Sequence, residues 1–370
     1  MAISHPRNGW VRIGKTGAIM YRHLLSIAAT CMLLSGQVLA QSATPDPGLT
    51  KLLTAELSRF SGTGGIYIHH LGNGTEANVN GAQKFDSAST IKMAVAVLAY
   101  RLQDQKKLNL NDRYTIKASD FRGGSGIFKF HDVGLNPTWR DIILQMIITS
   151  DNSATDMMIA KVGGVAAVNA FLTEQGFTGL HLNMTTNDYF RRPYDLADPK
   201  NKSLTPEDVF AMQTNLESFT KPREAQIARL RKEVADKKIN DEMRKRAMDE
   251  TTWLGVVTPN DMGRLIEGIE KGTIASKEAC EELKRMMRAQ QSGSRKIPHW
   301  LSVPVAHKTG ETGGVTNDVG MIYARSGPII IAFYTIGYEG LAADADDRLG
   351  HVARLIVEYF DGAGEGRRGG

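Results

Sequence analysis

The chain reads as an α/β protein of the α+β kind: an antiparallel sheet flanked by helices, with an all-helical subdomain between its first and last strands. Three observations predict this. Strand-like segments fall near the two ends of the chain, at residues 64–70 and 76–80 and again at 303–307, 319–324 and 329–336. Between them, from Asn111 to about Gln291, helical spacing and loops dominate. Strands need partners, so the two ends must meet in one sheet and leave the helical block beside it. The bulk numbers agree. A chain of 370 residues holds one large domain or two ordinary ones, and 42% hydrophobic with 23% charged residues excludes global disorder. No apolar run reaches the ~18 residues of a membrane span. A net charge of +5 spread over mixed signs gives no nucleic-acid footprint.

The elements follow in order. Residues 24–34 (LLSIAATCMLL) form a short apolar run after Arg22 and His23, followed by Val38-Leu39-Ala40. A basic start, a short hydrophobic region and small residues before a cut describe a signal peptide over 1–40, with Gln41 as the new terminus and Met20 as a possible true start. The competing reading is an uncleaved anchor, for which the run is short. Residues 9–16 match G-x-x-x-x-G-K-[ST], but upstream of an export signal and with no strand before them the match lacks its context. Loss of Cys31 with the leader leaves Cys280 alone in a helical stretch, as a buried apolar residue with no disulfide. No zinc-ligand spacing occurs, so neither metal nor cofactor is expected.

In the mature chain, 41–360, Leu49, Leu52, Leu53, Leu57 and Phe60 share one helix face. Two strands joined at Gly72-Asn73-Gly74 follow. Residues 89–103 form a strongly apolar, buried helix. After the helical block, the last two strands are joined at Ser326-Gly327-Pro328, and a helix over 349–360 closes the domain. Residues 361–370 are a Gly/Arg-rich tail.

No G-x-S-x-G elbow and no Ser-His-Asp frame is present, and His69, His70 and His307 read as structural. Three short motifs stand out instead: Ser89-Thr90-Ile91-Lys92 (S-x-x-K), Ser150-Asp151-Asn152 (S-D-N) and Lys308-Thr309-Gly310 (K-T-G). Each is weak alone; together and in this order they are specific. Ser89 and Lys92 lie one turn apart on a helix. A serine hydroxyl needs a base, and a buried Lys92 beside a second cation, Lys308, can lose its proton near neutrality. Ser150 can relay a proton to a leaving nitrogen. Asn152 can hold a substrate amide, and Lys308 with Thr309 suits a carboxylate. The N–H groups of Ser89 and of Glu311, which follows Gly310, can form an oxyanion hole.

On these motifs the chain resembles the penicillin-recognising serine hydrolases, and class A β-lactamases above all, over about residues 49–360. Trp139-Arg140-Asp141 through Thr155, Thr258-Pro259 with Met262, and Thr316-Asn317-Asp318 fit the same pattern. The resemblance implies a β-lactamase/transpeptidase-like fold, a five-stranded antiparallel sheet beside an all-α subdomain. It implies a secreted or periplasmic monomer without stable membrane association, with β-lactams or cell-wall peptides as small-molecule partners.

One departure bears on function. The family carries a deacylating glutamate in an E-x-x-L-N loop about 36 residues after S-D-N. Here that position falls near Thr186, with Asp188 as a shorter substitute. The chain also carries an insertion at about 186–250. Its second half, 221–250, has ten basic and seven acidic residues and no glycine, and reads as an amphipathic charged helix or hairpin. As a surface element it does nothing chemical; over the active-site mouth it could supply Glu242 or Glu250. Glu311 either disfavours anionic substrates or points to solvent. The leading expectation is a class A-like serine enzyme that hydrolyses β-lactams. The alternatives are a D-alanyl peptidase or other amide or ester hydrolase that deacylates β-lactams slowly, and a non-turnover β-lactam sensor.

Overall fold

The computed structural model describes residues 43–214, 248–338 and 341–362. The leader, the 9–16 motif, most of 221–250 including Glu242, and nearly all of the tail lie outside them.

Nine strands are present among the described residues: β1 (Thr44–Pro45), β2 (Thr63–His70), β3 (Thr75–Val79), β4 (Phe85–Asp86), β5 (His181–Leu182), β6 (Gly255–Val257), β7 (Val305–Thr312), β8 (Val315–Ala324) and β9 (Gly327–Ile336). The large sheet has the order β1-β3-β2-β9-β8-β7. From β3 to β7 it is the expected five-stranded antiparallel sheet, with both chain ends meeting where β2 pairs with β9 (Ile66 opposite Phe333). The short β1 adds a parallel edge strand against β3. A small second sheet, β4-β6-β5, has no counterpart in the sequence reading, because two- and three-residue strands are too short to show a period.

The helices are α1 (Pro47–Leu57), α2 (Lys92–Asp104), α3 (Trp139–Ile148), α4 (Asn152–Lys161), α5 (Gly164–Glu174), α6 (Thr186–Ala197), α7 (Pro206–Thr214), α8 (Pro259–Glu270), α9 (Lys277–Arg288) and α10 (Ala342–Asp361). The large sheet is covered on both faces, and strand alternation shows how. Ile66, Ile68, Ile331 and Phe333 join Leu49, Leu53, Leu349 and Ile356 of the terminal helices α1 and α10 in one core. Tyr67, Ile330, Ala332 and Tyr334 point the other way, into a larger core with α2, α8, α9 and the helical subdomain. Every residue from Lys92 to Tyr100 is buried, so α2 is a core helix that meets solvent only in its last turn. Cys280 is buried on α9. His69 bonds Glu267 at 2.9 Å, His70 meets Ser326, and His307 bonds Asp318 across β7 and β8 at 2.9 Å, all structural pairings. No single helix among the described residues is long and apolar enough to cross a membrane.

Two boundaries move in ways that matter. β7 starts two residues later than expected and runs on through Lys308-Thr309-Gly310 to Thr312, and β8 begins at Val315. The extra residues are polar or glycine, so nothing in their own pattern marks a strand; the pairing of Thr309 with Asp318 and of Gly310 with Asn317 does. The front part of the 186–250 stretch is helical, as α6 and α7.

Candidate active site

The three motifs converge at the junction of the large sheet and the helical subdomain. Ser89 and Lys92 stand at the start of α2, preceded by a 3₁₀ turn over Ala88–Ile91. Ala88, just before the serine, has φ +43°, and Ser150 has φ +55°. Both are non-glycine residues in the left-handed region, the sort of local strain (~1–3 kcal/mol) that a surrounding structure must hold in place. At Ser87 the small sheet helps hold it, since the Ser87 N–H donates to Gly255 O.

Ser150 lies between α3 and α4. Helix α3 opens with a reciprocal cap between Thr138 and Asp141. Asp151 caps α4 through the Ala154 N–H and takes the N–H groups of Ile127 and Phe128 on its other oxygen, which fixes the loop bordering the cleft. Asp151 is thus a structural member of its motif.

Lys92 Nζ, fully buried, donates to Ser150 O at 2.6 Å, to Asn152 Oδ1 at 2.8 Å and to Ser150 Oγ at 3.2 Å. Burial pushes its pKa down to about 7, against the opposing pull of Asp151 and Asp156. Lys308 Nζ, equally buried, donates to the same Ser150 Oγ at 2.9 Å and to Thr309 O at 2.8 Å. Burial, and then Lys92, hold its pKa well below the usual lysine range. Ser89 is half-buried and lines the cleft, but its hydroxyl makes no hydrogen bond among the described residues. Lys92 is therefore engaged with Ser150 and Asn152 rather than with Ser89.

Asn152 donates to Gly123 O at 2.9 Å, which leaves its second N–H for a ligand. The Thr309 hydroxyl lies 2.6 Å from that of Ser292. Gly310 has no room for a side chain: a Cβ would stand 2.8 Å from Ser87 O and 3.1 Å from Ser89 N. Its absence lets β7 approach the Ser89 amide, as a two-amide oxyanion hole requires. Glu311 lines the cleft, and its carboxylate is 2.6 Å from Nζ of the fully buried Lys296. Its side chain is 58% exposed, so it does face solvent, and Lys296 compensates its charge.

Of the candidate replacements for the glutamate, Asp188 and Glu250 do not line the cleft, and Glu242 lies outside the described residues. Asp188 lies in the first turn of α6, which Thr185 caps: its carboxylate accepts the Thr185 hydroxyl at 2.7 Å and pairs with Arg191 at 3.0 Å. Glu250 forms a half-exposed pair with Lys84 at 2.9 Å. Thr186 lines the cleft, its hydroxyl 3.3 Å from Asn152 O. Its backbone is pinned by Asp156, which accepts the Thr186 N–H at 2.7 Å and the Asn187 N–H at 2.9 Å and pairs with Arg122.

The sequence reading did not single out Ser292, Lys296, Asp156 or Tyr189. Asp156 had a signal, since it stands four residues after Asn152 on one helix face. Ser292 and Lys296 had none, because they reach the site from a loop far away in the chain.

Fold and site together define a penicillin-recognising serine hydrolase. The chain belongs to the beta-lactamase enzyme family, whose model matches residues 48–360. It is 24% identical to β-lactamase CTX-M-25 of Escherichia coli over 342 residues, 91% of this chain and 97% of that protein. It is 33% identical to β-lactamase BRO-1 of Moraxella catarrhalis over 105 residues, 28% of this chain and 34% of that protein. The fold is similar to that of a PBP-A variant solved as an acyl-enzyme complex with penicillin G: TM-score 0.63, 22% identity, covering 86% of this chain and 98% of that one.

Proposed function

We propose that the protein is an exported serine amidohydrolase that acylates Ser89 with β-lactams and D-alanyl peptides and releases the β-lactam-derived acyl group slowly. The observation that carries this reading is the content of the cleft. Lys92, Lys308 and Ser150 form a connected network beside Ser89, yet among the described residues the one carboxylate lining the cleft is Glu311, which is tied to Lys296. A water-activating base is worth about 10²–10⁴ in rate.

In this reading the Ser89 hydroxyl attacks the amide carbonyl as neutral Lys92 takes its proton. Negative charge gathers on the carbonyl oxygen between the N–H groups of Ser89 and Glu311. As the C–N bond breaks, Ser150 passes a proton to the leaving nitrogen and is recharged from the lysines it bridges. The leaving group's carboxylate rests against Thr309, Ser292 and Lys308, and Asn152 holds the acyl-side amide. The second reading, rapid β-lactam turnover, is favoured by the family match, and the likeness to a penicillin G acyl-enzyme is common to both.

The test is intact mass over time after adding a penicillin, with nitrocefin turnover in parallel and Ser89→Ala as the control. A long-lived single adduct, absent from the variant, supports the proposal. Fast turnover with no persistent adduct supports the second reading, and no Ser89-dependent reaction overturns both.

A further inference from the structure

The candidate cleft does not end at Ser89. Past Thr312 and Gly313 it adjoins a second cavity of about 780 Å³, and Tyr189, Phe190, Thr312 and Gly313 line both spaces. Strand β7 gives the pair a direction. Thr309, with Ser292, lies at one end of the cleft, Glu311 comes next, and Thr312 leads to the cavity. A substrate with its carbonyl at Ser89 and its leaving-group carboxylate at Thr309 sends its acyl chain toward Thr312. The cavity is far larger than a benzyl side chain needs and falls within the usual range for ligand pockets.

Its chemistry is distinctive. Asp86 lines it three residues before the nucleophile, 4% exposed. The Asp86 carboxylate accepts the Ala88 N–H at 2.9 Å and a long contact from the Thr312 hydroxyl at 3.4 Å. No lysine or arginine among the described residues forms an ion pair with it. A second carboxylate, Asp195, lines the same cavity; its Oδ2 pairs with Arg191 at 3.3 Å, and its Oδ1 is buried without a hydrogen-bond partner. Tyr189, Phe190, Tyr194 and Trp253 add aromatic walls, which favour an organic cation. The wall also holds two cations: Arg192, which lies over the Tyr189 ring and partly offsets the burial of Asp86, and the exposed Lys202.

We propose that this cavity is an acyl-chain subsite for a peptide-like chain ending in a protonated amine, with Asp86 as its counter-ion. The inference rests on the serine hydrolase reading above and names the substrate class of that site. Burial pushes Asp86 up to about 6 despite the opposing pull of Arg192, and an ammonium in direct contact with the carboxylate lowers that cost.

The experiment uses the purified full chain and two penicillins identical except for a primary amine at the end of the side chain, free in one and acetylated in the other. The rate of Ser89 acylation is read by intact mass. The free amine is expected to react about tenfold faster, the value of one charge-assisted contact of ~1.4 kcal/mol. Asp86→Asn should bring the ratio close to one, and Asp195→Asn should lower it by less. Equal rates on the wild-type protein, or a ratio unchanged in both variants, overturn the subsite. If Asp86→Asn does not fold, the wild-type ratio and Asp195→Asn decide. If neither penicillin reacts with Ser89, the serine hydrolase reading fails and the subsite fails with it; if both react equally, only the subsite does.

Discussion

Lys92 and Lys308 converge on one hydroxyl: the Ser150 Oγ lies 3.2 Å from the first ammonium nitrogen and 2.9 Å from the second. Two buried cations facing one neutral acceptor cannot both hold their protons cheaply near neutral pH. In the proposed reaction the arrangement would supply a free base for Ser89 and a proton source for the leaving nitrogen from the same pair.

Acylation should therefore rise with pH through about 7. Lys92 has its pKa lowered to about 7, so its neutral, proton-accepting form is scarce below that pH and dominant above it. A pH profile of adduct formation with a penicillin checks this. Lys92→Arg should lose about 10³ or more at every pH, because a guanidinium does not deprotonate.

Ser150→Ala should slow acylation by about 10²–10³ for amides and by less for an ester or thioester with the same acyl group, whose leaving group needs no proton to depart. Comparing the two substrate types in single-turnover assays separates loss of the relay from general damage to the site.

Thr186→Glu should shorten the life of a penicillin adduct by about 10²-fold or more, since it puts a carboxylate in the cleft on a backbone that Asp156 already fixes. The adduct half-life by intact mass is the readout. An unchanged half-life would show that slow release has another cause.

Glu311→Gln should lower stability by about 1–2 kcal/mol in denaturant titration, because it leaves the buried Lys296 cation with Asp346 at 3.7 Å as its nearer acid. The same change should lower KM for carboxylate-bearing substrates, since the released positive charge favours an anion in the cleft.

Asp86 should make the protein lose stability as pH rises from about 4 to 6. Its acid range is raised from 3.8 to about 6, so the native state holds this proton more tightly than the unfolded chain. Over that window the native state binds more protons, and stability falls with pH by up to about 3 kcal/mol. Asp86→Asn should flatten that part of the stability profile.

Much of this was legible in the chain itself. Strands with apolar alternation, such as the one around Ile66 to Ile68, and the apolar helix after Ser89 declare themselves locally, because burial on two faces leaves little choice of residue. Ser89, Lys92, Ser150, Asn152, Lys308 and Thr309 were readable as motifs, since acyl transfer by a serine–lysine pair needs those functional groups at the ends of particular elements. What was not legible lies in contacts between distant segments. Nothing near Glu311 in sequence announces that Lys296 neutralises it, nothing near Glu250 says that it pairs with Lys84, and no local pattern marks the short strand of Asp86 or the cavity beside it. Local periodicity records which face of an element is buried, whereas the charge balance and shape of a cleft depend on side chains that long-range packing brings together. The fold, the candidate nucleophile and the missing E-x-x-L-N glutamate were therefore set out in the residues, whereas the ion pairs that occupy Glu311 and Glu250 were decided by the tertiary structure, because their partners Lys296 and Lys84 come from other segments.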